Sequence, residues 1–175
     1  MRYLSEFRGS GIGKTCAILG GGPSLAHDLR AIPAVDTLIG VNQHSLILPL
    51  DFVFFSDERV WNAVKDYKDI LKITVLGKYD REDVICFVPS VSIGFSGARA
   101  VLAADFMSFD KIYVCGMDNY DPSSGRDYWW QLEGEPRTHE HCQNLHQWVQ
   151  IKHGMSRPEA VEFVSGRLNE VFHGR

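Results

Sequence analysis

Residues 15–26 read TCAILGGGPSLA. Thr15 to Leu19 form a short, continuous apolar run, the pattern of a strand covered on both faces. Three glycines follow, and they let backbone approach a neighbour with no Cβ in the way. Pro23 suits the first turn of a helix, where its missing N–H costs nothing. Ser24 and the open N–H groups of that turn offer an anion or ribose site at the positive end of the helix. A plain strand–helix turn needs one glycine or two. The excess points to nucleotide contact at Gly20, Gly21, Gly22, Pro23 and Ser24. The string is not GxGxxG, and the second strand ends in Val41-Asn42-Gln43 with no acidic residue. NAD is therefore disfavoured.

Working outward, five more runs repeat the texture of the first: residues 36–41, 51–56, 72–77, 83–88 and 111–116. Helical patterns over 24–31, 58–68 and 96–106 lie between them. Strand–helix alternation of this kind predicts an α/β, Rossmann-like fold with a mostly parallel, doubly wound sheet and helices on both faces. No repeat or domain boundary interrupts the chain, so one domain is expected over residues 1–175. Residues 1–14 read as a flexible N-terminal arm. Residues 117–138 read as a lid-like loop, because a solvated linker has little use for Trp129 and Trp130. Two helices are expected to close the chain. One covers about 139–152; the next is capped by Ser156, Pro158 and Glu159, with Val161, Val164, Leu168 and Val171 or Phe172 at helical spacing.

Composition narrows the function classes. The 175 residues are 45% apolar, enough to fill a core, and 18 Lys+Arg stand against 22 Asp+Glu. That balance argues against binding nucleic acid through a broad basic face. No apolar run approaches the roughly 20 residues that span a bilayer. The N-terminus lacks the apolar core of a secretory signal. Four dispersed cysteines, at 16, 86, 115 and 142, read as reduced thiols of a cytoplasmic protein.

The remaining candidates gather where strands end, the edge at which open α/β sheets bind ligands. Asn42 can read a base or ribose, or simply form a turn. Asp57 can bind ribose or metal, or cap the helix that follows it. Ser96 and Gly97 open the Ala-rich helix, and Asp118 ends the last strong strand. Two tempting motifs fall short. GSGIGKT (residues 9–15) has Arg8 where a P-loop needs glycine, and it runs into a strand rather than a helix. His139, His141, Cys142 and His146 lack a second ligand pair at zinc spacing. His153 differs from these, sitting at the joint between the last two helices.

The set AILGGGPSLA, IGVNQHS, FFSDE and SIGFSGARAVLAADFMSFDKIYVCGMDNYD resembles the DUF115 / MptE-like superfamily. That group includes archaeal 6-hydroxymethyl-dihydropterin pyrophosphokinases, Maf flagellin glycosyltransferases and, more distantly, bacterial CMP-sialic-acid sialyltransferases. The resemblance covers residues 15–120 and is that of a minimal, phage-type member. It implies a nucleotide or nucleotide-sugar as ligand and a sialyltransferase-like transfer from a CMP-sugar to a hydroxyl on a small-molecule or glycan acceptor. By the same resemblance the glycine loop and Asn42 hold the nucleotide, with Ser96 near it. Tyr120 and Tyr128 stabilise the departing phosphate, and His153 is the general base. No cofactor is required in this reading. The alternatives are a Mg²⁺-ATP pyrophosphokinase, with Asp57, Asp118 or Asp121 holding the ion, and a non-catalytic nucleotide-binding protein. Homo-oligomerisation stays open. The chain departs from the sialyltransferases at Gly21, where they carry Asn, and at Gly40, where they carry Arg.

Overall fold

A computed structural model describes residues 1–91, 94–118, 127–131, 145–166 and 168–174. Eight strands form one all-parallel sheet: β1 (Arg2–Tyr3), β2 (Thr15–Leu19), β3 (Thr37–Val41), β4 (Phe52–Phe55), β5 (Leu71–Thr74), β6 (Val84–Cys86), β7 (Lys111–Cys115) and β8 (Val161–Phe163). Their spatial order is β1-β6-β5-β4-β3-β2-β7-β8. Among the described residues, α-helices accompany them: α1 (Leu25–Ala31), α2 (Glu58–Val64), α3 (Ser96–Met107), α4 (Leu145–Gly154) and α5 (Leu168–His173). The fold is α/β and Rossmann-like, as the run of apolar segments predicts. No helix among the described residues is long and apolar enough to cross a membrane.

The period of two along each strand divides the core into two layers. Cys16 and Ile18 of β2 join Ile39, Phe54, Ile73 and Val114 beneath α3, α4 and α5. Ala17 and Leu19 face the other way, with Val53, Phe55 and Cys115, against Leu25 of α1 and Val60 and Val64 of α2. Both faces are covered, which is why the central strands read as near-continuous apolar runs. Each such Ile, Phe or Leu contributes about 1.5–3 kcal/mol on burial.

Both ends of the chain correct the sequence reading. The first residues are not a free arm. β1 pairs with β6 through Arg2 opposite Ile85 and Tyr3 opposite Cys86, and Leu4 is buried. Gly11 donates its N–H to the Met107 carbonyl at 2.9 Å. Near the other end, the second helix expected from Ser156 onward begins only at Leu168. Pro158–Ala160 make a 3-10 turn and Val161–Phe163 become β8, paired with β7. Asp105 of α3 accepts the Ser156 and Arg157 N–H groups at 2.8 and 3.0 Å, which ends the chain's helical course there. Val161 and Phe163 are buried while Glu162 pairs with Lys111. Over so few residues, that strand alternation and the helical spacing of Val161 and Val164 look alike.

The winding direction reverses at β2. The chain leaves it through α1 for β3 on one side, whereas β7, reached through α3, lies on the other. Such a switch point opens a crevice at the carboxyl ends of the two strands. It lies between Gly20–Gly22 and Gly116–Asp118.

Candidate functional site

A cleft of about 870 Å³ occupies the crevice. Gly20, Gly21 and Gly22 line it after β2, Asn42 after β3, and Asp57 after β4. Ser96, Gly97, Asp118 and Tyr128 complete the predicted residues that reach it. Pro23, Ser24 and His153 are not among the lining residues. Tyr120, Asp121, His139, His141 and Cys142 lie outside the described residues.

The glycines serve the protein's own packing. A Cβ on Gly20 would lie 2.3 Å from the Gly116 carbonyl oxygen and 2.9 Å from Met117 Sδ. One on Gly22 would lie 1.9 Å from Asp118 Oδ2. On Gly21 it would meet the His44 ring at 3.0 Å, a contact inside the cleft. Three glycines in a row are thus explained without a ligand.

The expected open N–H groups at Ser24 are also accounted for. Asp118 Oδ2 accepts the Ser24 N–H at 3.1 Å, Gly22 donates to Gly116, and Leu25 donates to Gly22. The Ser24 hydroxyl donates to Asp28 Oδ2 at 2.8 Å, and that oxygen also takes the Gly116 N–H. A carboxylate therefore sits where an anionic ligand would have met the turn. Burial pushes the Asp118 carboxyl above its ordinary range; the Ser24 hydrogen bonds pull the other way and the charge of Asp28 adds to the rise.

Across the loop, Asn42 is a non-glycine residue with φ +58°. Asparagine tolerates this left-handed conformation better than most residues, though at a cost. Its Oδ1 is buried with no hydrogen-bond partner, a deficit of about 1–3 kcal/mol for a buried acceptor. The 3-10 turn that follows, Asn42–Ser45, is anchored by the Ser45 hydroxyl donating to the Leu19 carbonyl at 2.9 Å. Gly40 has no room for a side chain: a Cβ there would lie 2.5 Å from Leu50 Cδ1 and 2.9 Å from Ser45 Oγ. A side chain at Gly40 would have to displace those of Leu50 and Ser45.

On the α2 side, Asp57 caps its helix by accepting the Arg59 N–H at 2.9 Å, and its carboxylate also pairs with the Arg59 side chain. Those contacts hold the Asp57 carboxyl below its usual range. Asp57 is therefore the cap of α2, and it also lines the cleft. Ser56 and Ser96 share a hydrogen bond of 2.6 Å between the end of β4 and the start of α3. Met117 fills the space over Gly97, whose Cβ would lie 2.9 Å from the Met117 sulfur.

Asp127 and Tyr128 form another wall. Trp129 donates its N–H to the Gly21 carbonyl at 3.0 Å. Trp130 stacks on both His44 and Tyr128, each with ring centroids 4.3 Å apart. Gln131 Oε1 accepts the Asp127 and Tyr128 N–H groups. This part of the expected lid is a packed strap laid over the glycine loop.

Composition alone missed several lining residues. His44, Ser56, Met117, Asp127 and Trp148 all reach the cleft. No periodicity marks His44, two residues past Asn42, as one of them. His153 lies in the last turn of α4 and is exposed. His27 is 79% exposed on α1, His146 is exposed, and His173 bonds the Val161 carbonyl at 2.8 Å. Charges in the lining are mainly acidic: Asp57, Glu58, Asp118 and Asp127 against Arg59. Among the described residues no group of three or more His, Cys, Asp or Glu is placed to hold a metal ion. No protein-family model matches the chain, and no curated protein matches it.

Proposed function

We propose that the cleft binds a nucleotide or nucleotide-sugar and that the protein is a glycosyltransferase-like enzyme, passing a sugar from a CMP-sugar donor to a hydroxyl acceptor. The observation that carries this reading is Asn42. A strained residue with an orphaned, buried amide oxygen beside the switch-point cleft is what a site waiting for a ligand N–H or O–H contains. The amide, the Ser56 and Ser96 hydroxyls and the aromatic side chains of Phe95, Tyr128 and Trp148 suit a nucleoside and a sugar. Tyr128 also lines the cleft, and a departing phosphate needs hydrogen-bond donors such as a phenol.

The acidic lining favours a second reading, pyrophosphoryl transfer from a magnesium-bound ATP, because carboxylates tolerate a phosphate chain best when a cation accompanies it. The described residues do not supply the ion's site. Asp57 is held by Arg59 and Asp118 by Ser24, and they belong to no common ligand group. A non-catalytic nucleotide-binding protein is the third reading.

A thermal-shift panel of CMP, UDP, ATP and GDP, each with and without Mg²⁺, separates these. A ligand at a hundred times its Kd adds about 2.7 kcal/mol to stability. Stabilisation by CMP without metal supports the transfer reading. Response to ATP only with Mg²⁺ supports the second, and binding without turnover of any donor supports the third. No response to any nucleotide would overturn the proposal.

A further inference from the structure

We propose that His44 takes the proton from the acceptor hydroxyl in this cleft; the role rests on the transfer reading above. A general base must lie within hydrogen-bond reach of the proton it removes. Of the described histidines, His27, His146, His153 and His173 stand outside the cleft lining and His44 stands within it. The left-handed turn at Asn42 carries the chain back over the glycine loop. It sets the His44 ring against Gly21, where a Cβ would lie 3.0–3.1 Å from ring and Cβ atoms. Trp130 covers one side of the imidazole and Tyr128 lies 4.9 Å away, centroid to centroid. The ring is thus oriented by packing before any ligand arrives, which removes an entropic cost from the reacting geometry.

The charge of the cleft supports the same role. Around the 3-10 turn that carries His44, the charged groups of the lining are Asp57, Glu58 and Arg59 of α2, Asp118 after β7 and Asp127 of the strap. Asp57 pairs with Arg59 and Glu58 with Lys78, and the acidic side chain of Asp118 in the same cleft favours a positive charge developing on an imidazole. In the step itself, the acceptor O–H bond breaks and its oxygen bonds to the anomeric carbon. The bond from that carbon to the phosphate oxygen breaks, and the electron pair leaves with the nucleotide monophosphate. The proton passes to His44 and then to solvent.

The test follows CMP release from CMP-N-acetylneuraminate, with water as the hydroxyl acceptor. His44→Phe keeps a ring against Trp130 and removes the base; His44→Ala removes both. We expect His44→Phe to slow release by about 100- to 10,000-fold and to lose the fall in rate on the acid side of the pH profile. CMP should still stabilise this variant against heat as it does the wild type. Free imidazole should restore part of the rate in His44→Ala and none in His44→Phe, a response that a purely structural role would not give. Wild-type rate and pH profile in His44→Phe would overturn the assignment while leaving the transfer reading intact. Absence of CMP release by the wild-type protein would overturn that reading, and the role of His44 with it.

Discussion

A Cβ on Gly22 would lie 1.9 Å from Oδ2 of Asp118, the same oxygen that accepts the Ser24 N–H. The glycine loop and the end of β7 are built as one unit at this point. Gly22→Ala should therefore destabilise the protein by about 1–3 kcal/mol, the usual cost of overpacking. Adding Asp118→Ala should return part of that loss, because the shorter side chain vacates the clash. Urea denaturation of both single variants and the double measures the coupling. Additive losses would show that Asp118 does not set the requirement for glycine.

Asn42 should show opposite effects on stability and binding. Asn42→Gly relieves the left-handed backbone and deletes a buried acceptor that has no partner. Against this, glycine costs about 0.5–1 kcal/mol in chain entropy, so a net gain of up to about 2.5 kcal/mol is expected from the removed acceptor. Affinity for the stabilising nucleotide should fall by about 0.5–1.5 kcal/mol, one lost hydrogen bond. Paired urea and titration measurements on the variant check this. Lower stability with unchanged affinity would make Asn42 a turn residue.

Six of the eight strands were legible because doubly covered strands must be apolar on both faces, and Cys16-Ala17-Ile18-Leu19 shows this without ambiguity. The site's edge followed from the same pattern, since each strand end names a position on one rim. What stayed hidden depended on contacts distant in sequence. Nothing local to Ser156 reveals that Asp105, 51 residues earlier, takes its N–H. Nothing local to Gly22 reveals that Asp118 crowds it, so three glycines looked like room for a ligand. His44 was hidden for another reason. A polar residue in a short turn has no periodicity, and only the packing of Trp130 and the position of Gly21 place its ring in the cleft.

Lys72 gives a prediction far from the cleft. Its ammonium is fully buried on β5, bonded to Asp83 at 2.8 Å and to the Tyr67 carbonyl. Asp83→Ala would strand that charge and should cost about 3–5 kcal/mol. Lys72→Met, which removes the charge and keeps the stem, should cost much less. Burial alone would raise the Asp83 carboxyl, but the hydrogen bonds from Lys72 and Arg81 outweigh it and the net shift is downward. A depressed folded-state pKa stabilises above the ordinary aspartate range, near 3.9, and the benefit is lost as pH falls through the folded value. The wild type should therefore lose its advantage over Lys72→Met on acidification, measured by urea midpoints from pH 6 down to pH 3.

Asp118 should behave with the opposite sign. Burial raises its carboxyl above the ordinary range, with Asp28 adding to the rise. A carboxyl raised in the folded state binds its proton more tightly there than in the unfolded chain. Stability then falls as pH climbs from near 3.9 through the raised value, and the full penalty persists at neutral pH. Asp118→Asn keeps an oxygen to accept the Ser24 N–H and removes the charge. The variant should be more stable than wild type at pH 7, with the difference closing below about pH 4, where the wild-type carboxyl is also neutral. One force opposes this outcome. A negative charge at the first turn of α1 is favoured by about 0.3–1 kcal/mol through the helix dipole. Burial of the carboxyl and the charge of Asp28 act against that attraction. Urea midpoints for both proteins at pH 3.5, 5 and 7 decide it: a variant less stable than wild type at pH 7 would mean that the carboxylate stabilises the turn it occupies.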